Sequence, residues 1–207
     1  MTSPPPALDD VTGIVLAGGR SARFGSDKLA LELDGRPLLH HAIAAVAAVA
    51  GRIIVVTAPD AEPSLPAELA NRIVVVHDPE PFGGPLVGLG AALAAVETPT
   101  ALVAGGDMPR MVALVLRRLA GAVGTEYRAV TLEVPGRVQP LPMALDVGAA
   151  LAAATTVLDR GDRSLRDLLR ELGTTSIPAP VWLALDPAGA TIVDIDRPSD
   201  LGSAGPT

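Results

Sequence analysis

The 207-residue chain has no cysteine, which excludes disulfide staples, thiolate nucleophiles, zinc fingers and iron–sulfur ligation. Aromatic residues make up only 2%, against 49% hydrophobic residues overall, so the core has to be packed from Leu, Val, Ile and Ala. Cations are in deficit: 16 Lys and Arg stand against 23 Asp and Glu, for a formal net charge of -7. That balance argues against a broad nucleic-acid-binding face, which needs positive charge to neutralise phosphates. No apolar run reaches the roughly 20 residues that span a bilayer; the Ala-rich stretch 42–50 is bounded by His40-His41 and Gly51-Arg52. The first ten residues carry neither a basic nor an apolar segment, so they do not read as a secretory signal. The expectation is a soluble, cytoplasmic protein that handles small molecules, with no nucleic-acid or membrane partner.

What is present begins near the N-terminus. The apolar run Ile14 to Leu16 opens into Ala17-Gly18-Gly19-Arg20-Ser21-Ala22-Arg23-Phe24-Gly25-Ser26-Asp27-Lys28. Gly18 and Gly19 let backbone N–H groups approach an anion closely, while Arg20, Arg23 and Lys28 supply positive charge; the same features also suit a plain turn with solvated cations. Two familiar phosphate loops are excluded. Gly25 is followed by Ser26-Asp27 rather than Lys-Ser/Thr, and the adjacency of Gly18 and Gly19 breaks the dinucleotide G-x-G-x-x-G spacing.

The rest of the chain alternates. Helix-forming residues 37–50, with Pro37 in the first turn and Gly51 as a C-terminal cap, are followed by a β-branched strand over 52–57. Strands are expected over 72–77 and 101–104, and helices over 86–96 and 112–123. This order implies right-handed crossovers and a mostly parallel sheet covered on both faces, a single-domain, three-layer Rossmann-like α/β fold. Beyond Gly124, residues 128–134 and 137–145 read as a hairpin turning at Pro135-Gly136, 147–158 and 164–172 as helices, and 177–185 and 191–195 as strands. Ser164 with Asp167 resembles a capping box. The domain is expected to run over 11–201, with a disordered leader at 1–10 and a tail at 202–207.

Ligands in such sheets gather beyond the carboxyl ends of the strands. One such end is Gly105-Gly106-Asp107-Met108-Pro109, where Asp107 reads either as the cap of the next helix or as a hard oxygen ligand. Another is Asp78 to Gly88, where Gly83-Gly84-Pro85 is either a simple turn or a helix N-terminus offering free N–H donors.

Taken together, Leu16-Ala17-Gly18-Gly19-Arg20-Ser21-x-Arg23-x-Gly25-x-Asp27-Lys28 and Leu31-x-Leu33-x-Gly35-x-Pro37-Leu38-Leu39 resemble the signature of the sugar-nucleotidyltransferase-like enzymes, in particular the molybdenum cofactor guanylyltransferase branch. The resemblance spans Val11 to Leu201. It implies the nucleotide-diphospho-sugar transferase type of fold and a Mg²⁺-dependent transfer of GMP from GTP to molybdopterin bearing molybdenum. It further implies Arg20, Lys28 and Asp107 as catalytic residues, and Leu16, Ala17, Gly18, Gly19, Lys28, Thr57, Asp78, Gly84 and Asp107 as the nucleotide site. Gln139, Arg163 and Asp194 fall on the acceptor side, and Asp107 with Asp196 on the metal. Thr57 departs from the family pattern, which commonly has Asn there; one hydroxyl offers fewer directional bonds to a purine edge than an amide. A cytidylyltransferase acting on molybdopterin or a small alcohol phosphate therefore stays open, as does a non-catalytic nucleotide-binding module. Arg163, Arg166 and Arg170 share one helix face, which is either solvated or binds acceptor phosphate. Transient contact with molybdenum cofactor enzymes or chaperones would complete the picture.

Overall fold

The structure, a computed structural model, describes residues 6–18, 28–80, 83–136, 139–196 and 200. Its elements run in chain order as β1 (Leu8–Leu16), a 3-10 turn at Lys28–Ala30, β2 (Glu32–Leu33), β3 (Arg36–Pro37), α1 (Leu38–Ala47), β4 (Ala50–Thr57), a 3-10 turn at Ala67–Arg72 and β5 (Ile73–His77). They continue with α2 (Pro85–Ala94), β6 (Thr100–Gly105), α3 (Ala113–Ala120), β7 (Ala129–Leu132), β8 (Met143–Asp146), α4 (Val147–Asp159), α5 (Leu165–Leu172), β9 (Thr175–Ile177), α6 (Ala179–Leu183) and a 3-10 turn at Ala190–Ile192. Seven strands form one sheet in the order β5-β4-β1-β6-β8-β7-β9. Only β8 runs against its neighbours, antiparallel to both β6 and β7. This is the mostly parallel α/β fold expected from the alternation of strands and helices.

Strand side chains alternate between two apolar layers. Val11 and Val15, Ile53 and Val55, Leu102 and Ala104 face one layer; Ile14, Ile54 and Val56, Ala101 and Val103 face the other. The first layer is closed by α1 and α3 through Leu39, Ile43, Val46, Leu116 and Leu119. The second is closed by α2, α4 and α5 through Leu86, Leu89, Leu93, Val157 and Leu168. Each of these large side chains contributes about 1.5–3 kcal/mol on full burial. Gly13 lets α1 sit close, because a Cβ there would lie 2.1 Å from Val46 Cγ1.

Because α1 covers one face and α2 the other, the chain winds outward in both directions from the β1–β6 pair. A crevice opens there at the carboxyl ends of the strands. The register makes those ends flush: Leu16 pairs with Val56 on one side and Gly105 on the other.

Several boundaries differ from expectation. β1 starts at Leu8, inside the expected leader, since Leu8 pairs with Ala50 and donates its N–H to Val49 O. Helix α1 ends at Ala47 with Ala48 as its C-cap, and Gly51 already lies in β4. The chain does turn at Pro135-Gly136, with Val134 in a bridge just before it and Gly136 at φ +77, but β7 and β8 are shorter than the two expected strands, at Ala129–Leu132 and Met143–Asp146; Pro140 and Pro142 have no N–H to offer a ladder before Met143. The stretch 177–185 is mostly helical, not extended: Pro178 is the N-cap of α6 and Pro180 lies in its first turn, where the missing N–H costs nothing. Trp182 anchors that helix, 2% exposed in the α1/α3 layer, with its indole N–H donated to Glu133 O at 2.9 Å. Residues 191–195 likewise form no strand. Among the described residues, no helix is long and apolar enough to cross a membrane.

Candidate active site

At the mouth of the crevice, residues from distant parts of the chain converge. The segment after β6 begins tightly: Gly106 N–H donates to Leu16 O at 3.0 Å, and the Asp107 carboxylate folds back over Gly105, where a Cβ would meet its Oδ1 at 2.6 Å. Gly105 therefore makes room for Asp107 itself, while Gly106 clears space for Leu16 O and the side chains of Leu29 and Leu39. Asp107 is no helix cap, since α3 begins later with Val112 as its N-cap.

The C-terminal segment is brought to Asp107 by three anchors. Thr191 N–H donates to the buried Asp186 carboxylate at 2.7 Å, Val112 N–H donates to Thr191 Oγ1 at 3.0 Å, and Ile195 N–H donates to Asp107 O at 3.0 Å. Ile195 is buried against Leu33 and Leu38. In an extended segment its neighbours at i−1 and i+1 point the opposite way, which sends Asp194 and Asp196 together toward Asp107. One carboxylate oxygen from each of the three lies within 4.8 Å of the others.

Lys28, in the turn that follows the glycine-rich loop, reaches into this cluster. Its Nζ donates to Asp107 Oδ2 at 2.9 Å and to Asp196 Oδ1 at 3.0 Å, and its side chain is only 14% exposed. Burial pulls the Lys28 pKa down, but the hydrogen bonds and charges of Asp107 and then Asp196 outweigh it, and the net value is raised above the usual 10.5. A raised lysine pKa favours the folded state fully below 10.5 and loses that contribution as pH climbs through the raised value, so the ammonium persists across the neutral range. Asp194 keeps much of its surface open, yet burial of its carboxyl raises its pKa; its own backbone hydrogen bond and the Lys28 charge oppose this, and the charges of Asp196 and Asp107 add to it. A bound cation would relieve that strain. A donor set made only of carboxylates suits a hard divalent ion.

The adjoining cleft, about 410 Å³, is lined by Leu16, Ala17, Gly18, Lys28, Thr57 and Asp107, with the 58–64 segment forming its far wall. Gly18 packs over the Thr57–Ala58 peptide, where a Cβ would lie 3.6 Å from Thr57 C and 3.7 Å from Ala58 N. The structure thus brings together Leu16, Ala17, Gly18, Lys28, Thr57, Asp107, Asp194 and Asp196. Gly19 and Arg20, with Arg23, Gly25 and Arg137, lie outside the described residues.

Asp78, Gly84, Gln139 and Arg163 do not line this cleft. Asp78 Oδ1 accepts the Glu80 N–H at 3.0 Å, turning the chain after β5. Gly84 has φ +95 and abuts Arg163, whose Cβ would be 2.9 Å and whose carbonyl oxygen 3.0 Å from an added Cβ. The N-terminus of α2 is not wholly free either, since Leu86 N–H donates to Arg163 O at 3.3 Å. Arg163 pairs with Glu80 at 3.2 Å, over a separate groove between α2 and α4. Gln139 is half-buried ahead of β8. Arg170 pairs with Asp167 at 2.6 Å, and Ser164 caps α5 by accepting the Asp167 N–H, one half of the expected capping box, while the Asp167 carboxylate accepts the Ser164 hydroxyl. Asp194, expected on the acceptor side, stands in the acidic cluster with Asp107 and Asp196. The signal for that was the Asp-Ile-Asp pattern, which in extended backbone puts both carboxylates on one side.

The family model for the MobA-like NTP transferase domain matches residues 13–176. The probable molybdenum cofactor guanylyltransferase of Chloroflexus aggregans is 36% identical over 197 residues, covering 92% of this chain and 91% of that protein. The molybdenum cofactor guanylyltransferase of Xanthomonas euvesicatoria pv. vesicatoria is 36% identical over 160 residues, 76% of this chain and 75% of that protein. Among solved structures, molybdopterin-guanine dinucleotide biosynthesis protein A from Archaeoglobus fulgidus superposes with a TM-score of 0.69 at 21% identity, covering 93% of this chain and 96% of that one. The 2-C-methyl-D-erythritol 4-phosphate cytidylyltransferase from Thermus thermophilus gives 0.66 at 21% identity, covering 92% and 95%. These two structural likenesses bear on fold. With the curated relatives spanning most of its length and the family model covering both the end of β1 and the Asp107 edge, the chain belongs to the MobA-like NTP transferase family and is a nucleotidyltransferase.

Proposed function

We propose that this enzyme transfers GMP from GTP to molybdopterin bearing molybdenum, releasing pyrophosphate, in the cytoplasm. The observation that carries the reading is the convergence of Lys28, Asp107, Asp194 and Asp196 beside Gly18 in a single cleft, in a chain similar to guanylyltransferases over most of its length. An oxygen of the acceptor's phosphate attacks the α-phosphorus of GTP. The new P–O bond forms as the bond to the β-phosphate oxygen breaks, and pyrophosphate leaves. Such a displacement needs alignment and charge neutralisation rather than a protein nucleophile.

Lys28 supplies a charge-assisted donor to the triphosphate, and the backbone at Gly18 approaches it without a side chain in the way. Asp107, Asp194 and Asp196 would hold Mg²⁺, which supplies charge stabilisation on the phosphoryl oxygens and the leaving group. Arg20 and Gly19 complete the phosphate loop in this reading, Asp78 and Gly84 the nucleotide side, and Gln139 and Arg163 the acceptor side. Partner molybdenum enzymes or chaperones would take the product by transient contact.

One observation favours a second reading. Thr57 at the cleft wall replaces the family's common Asn, which leaves a cytidylyltransferase in play. Pyrophosphate release should be measured with Mg²⁺ and the molybdopterin acceptor, supplying GTP, CTP, ATP or UTP in turn. Release with GTP and not CTP supports the proposal, the reverse replaces it with the cytidylyltransferase, and release with none favours a binding module.

A further inference from the structure

Thr191 has no exposed surface, and both its amide and its hydroxyl are spent on holding the C-terminal segment. Its N–H goes to Asp186 Oδ2 at 2.7 Å, a carboxylate that is itself only 3% exposed, and its Oγ1 accepts the Val112 N–H at 3.0 Å. The bond from Val112 crosses to the segment that follows Asp107. A second bond closes the other end of the same two segments, from Ile195 N–H to Asp107 O at 3.0 Å. Residues 107–112 and 191–195 therefore run in opposite directions, clamped at both ends, and neither segment belongs to a strand. Where a sheet would use a ladder of backbone bonds, one hydroxyl fixes the register. Burial of Ile195 against Leu33 and Leu38 cannot do that alone, because apolar contact is non-directional and lets a segment slide along its own length.

All three carboxylates of the cluster depend on this clamp, Asp107 on the first segment and Asp194 and Asp196 on either side of Ile195. We infer that Thr191 is a positioning residue for the acidic cluster: its hydroxyl sets how Asp194 and Asp196 stand against Asp107, and so how well their oxygens together hold a divalent ion. The inference rests on the metal reading given above. Groups hydrogen-bonded behind a ligand set govern metal affinity by roughly tenfold to 100-fold. Valine has the shape of threonine but no acceptor, so Thr191→Val leaves the packing in place and the Val112 N–H without its partner.

The test is titration of Mn²⁺ into the intact protein, followed by electron paramagnetic resonance, together with hydrogen exchange of peptides spanning 107–112 and 190–196. Thr191→Val should weaken Mn²⁺ binding by roughly tenfold to 100-fold and speed exchange in both peptides, and Thr191→Ser should restore both, because serine keeps the hydroxyl. Thr191→Ala, which leaves room for a water on the Val112 N–H, serves if the valine variant does not fold. Thr131→Val is the control for stability: Thr131 is also buried, its hydroxyl is 2.9 Å from Ser176 Oγ between β7 and β9, and it does not line the cleft. It should lower the melting temperature and leave Mn²⁺ affinity alone. Unchanged Mn²⁺ affinity in Thr191→Val overturns the inference, as does an equal loss in Thr131→Val, and a serine variant as weak as the valine one overturns the role of the hydroxyl. If the unmodified protein binds no Mn²⁺, the metal reading falls instead, and the exchange rates alone decide whether Thr191 holds the two segments in register.

Discussion

Lys28 and Arg163 both face carboxylates across the C-terminal edge of the sheet, but their settings differ. Lys28 is 14% exposed and held between two aspartates, whereas Arg163 and Glu80 are 44% and 54% exposed and meet at 3.2 Å. Water and salt screen the second pair, so it contributes little. Around Arg163 the structural contribution comes from the backbone, whose carbonyl takes the Leu86 N–H and crowds Gly84. Around Lys28 the side chains themselves are the feature, concentrated where charge on a phosphate would be compensated. The comparison teaches that burial, more than the presence of an ion pair, separates a chemical centre from a surface brace.

Four substitutions test that contrast, in falling order of effect. Asp107→Asn keeps the shape and one oxygen but removes a negative charge from the cluster, and turnover should fall on the order of 100-fold, with GTP affinity changing less. Steady-state pyrophosphate release reads the loss; equal rates would remove Asp107 from the chemistry. Lys28→Ala should weaken GTP binding by roughly 1.5–3 kcal/mol, the worth of a charge-assisted bond, as measured by titration calorimetry. Gly84→Ala forces a side chain to φ +95 and into contact with Arg163, and should destabilise the fold by about 1–3 kcal/mol in urea unfolding. Arg163→Ala should change stability by no more than about 1 kcal/mol and leave GTP affinity alone; a large loss of GTP binding would mean that its groove joins the nucleotide cleft.

Much of the β5-β4-β1-β6 part of the sheet was legible in the chain because each element there is a local statement. The β-branched run before Thr57, the glycine loop after Leu16 and the acidic residue just after β6 each carry their own signal, and parallel pairing then assembles their ends. Asp194 and Asp196 were legible as residues but not in their shared role. Their place depends on three hydrogen bonds to Asp186, Thr191 and Asp107 and on the burial of Ile195, partners distant in sequence and without a local pattern. The stretch 177–185, extended only at Ile177, misled for the opposite reason. Its composition suits a strand, but Pro178 and Pro180 withhold the donors a ladder needs and start a helix instead. Asp78 and Gly84 stood beside the right strand ends, and the structure shows them engaged with Glu80 and Arg163, a packing relation no spacing of residues reveals.

The burial of Trp182 has an optical consequence. It is the single tryptophan of the chain, lies 2% exposed in the α1/α3 layer and does not border the cleft. Its emission should be blue-shifted in the native protein and move to the red as α6 detaches, while saturating nucleotide leaves the spectrum in place. Intrinsic fluorescence thus reports how firmly the C-terminal third of the molecule is docked, on a channel that the ligand does not disturb.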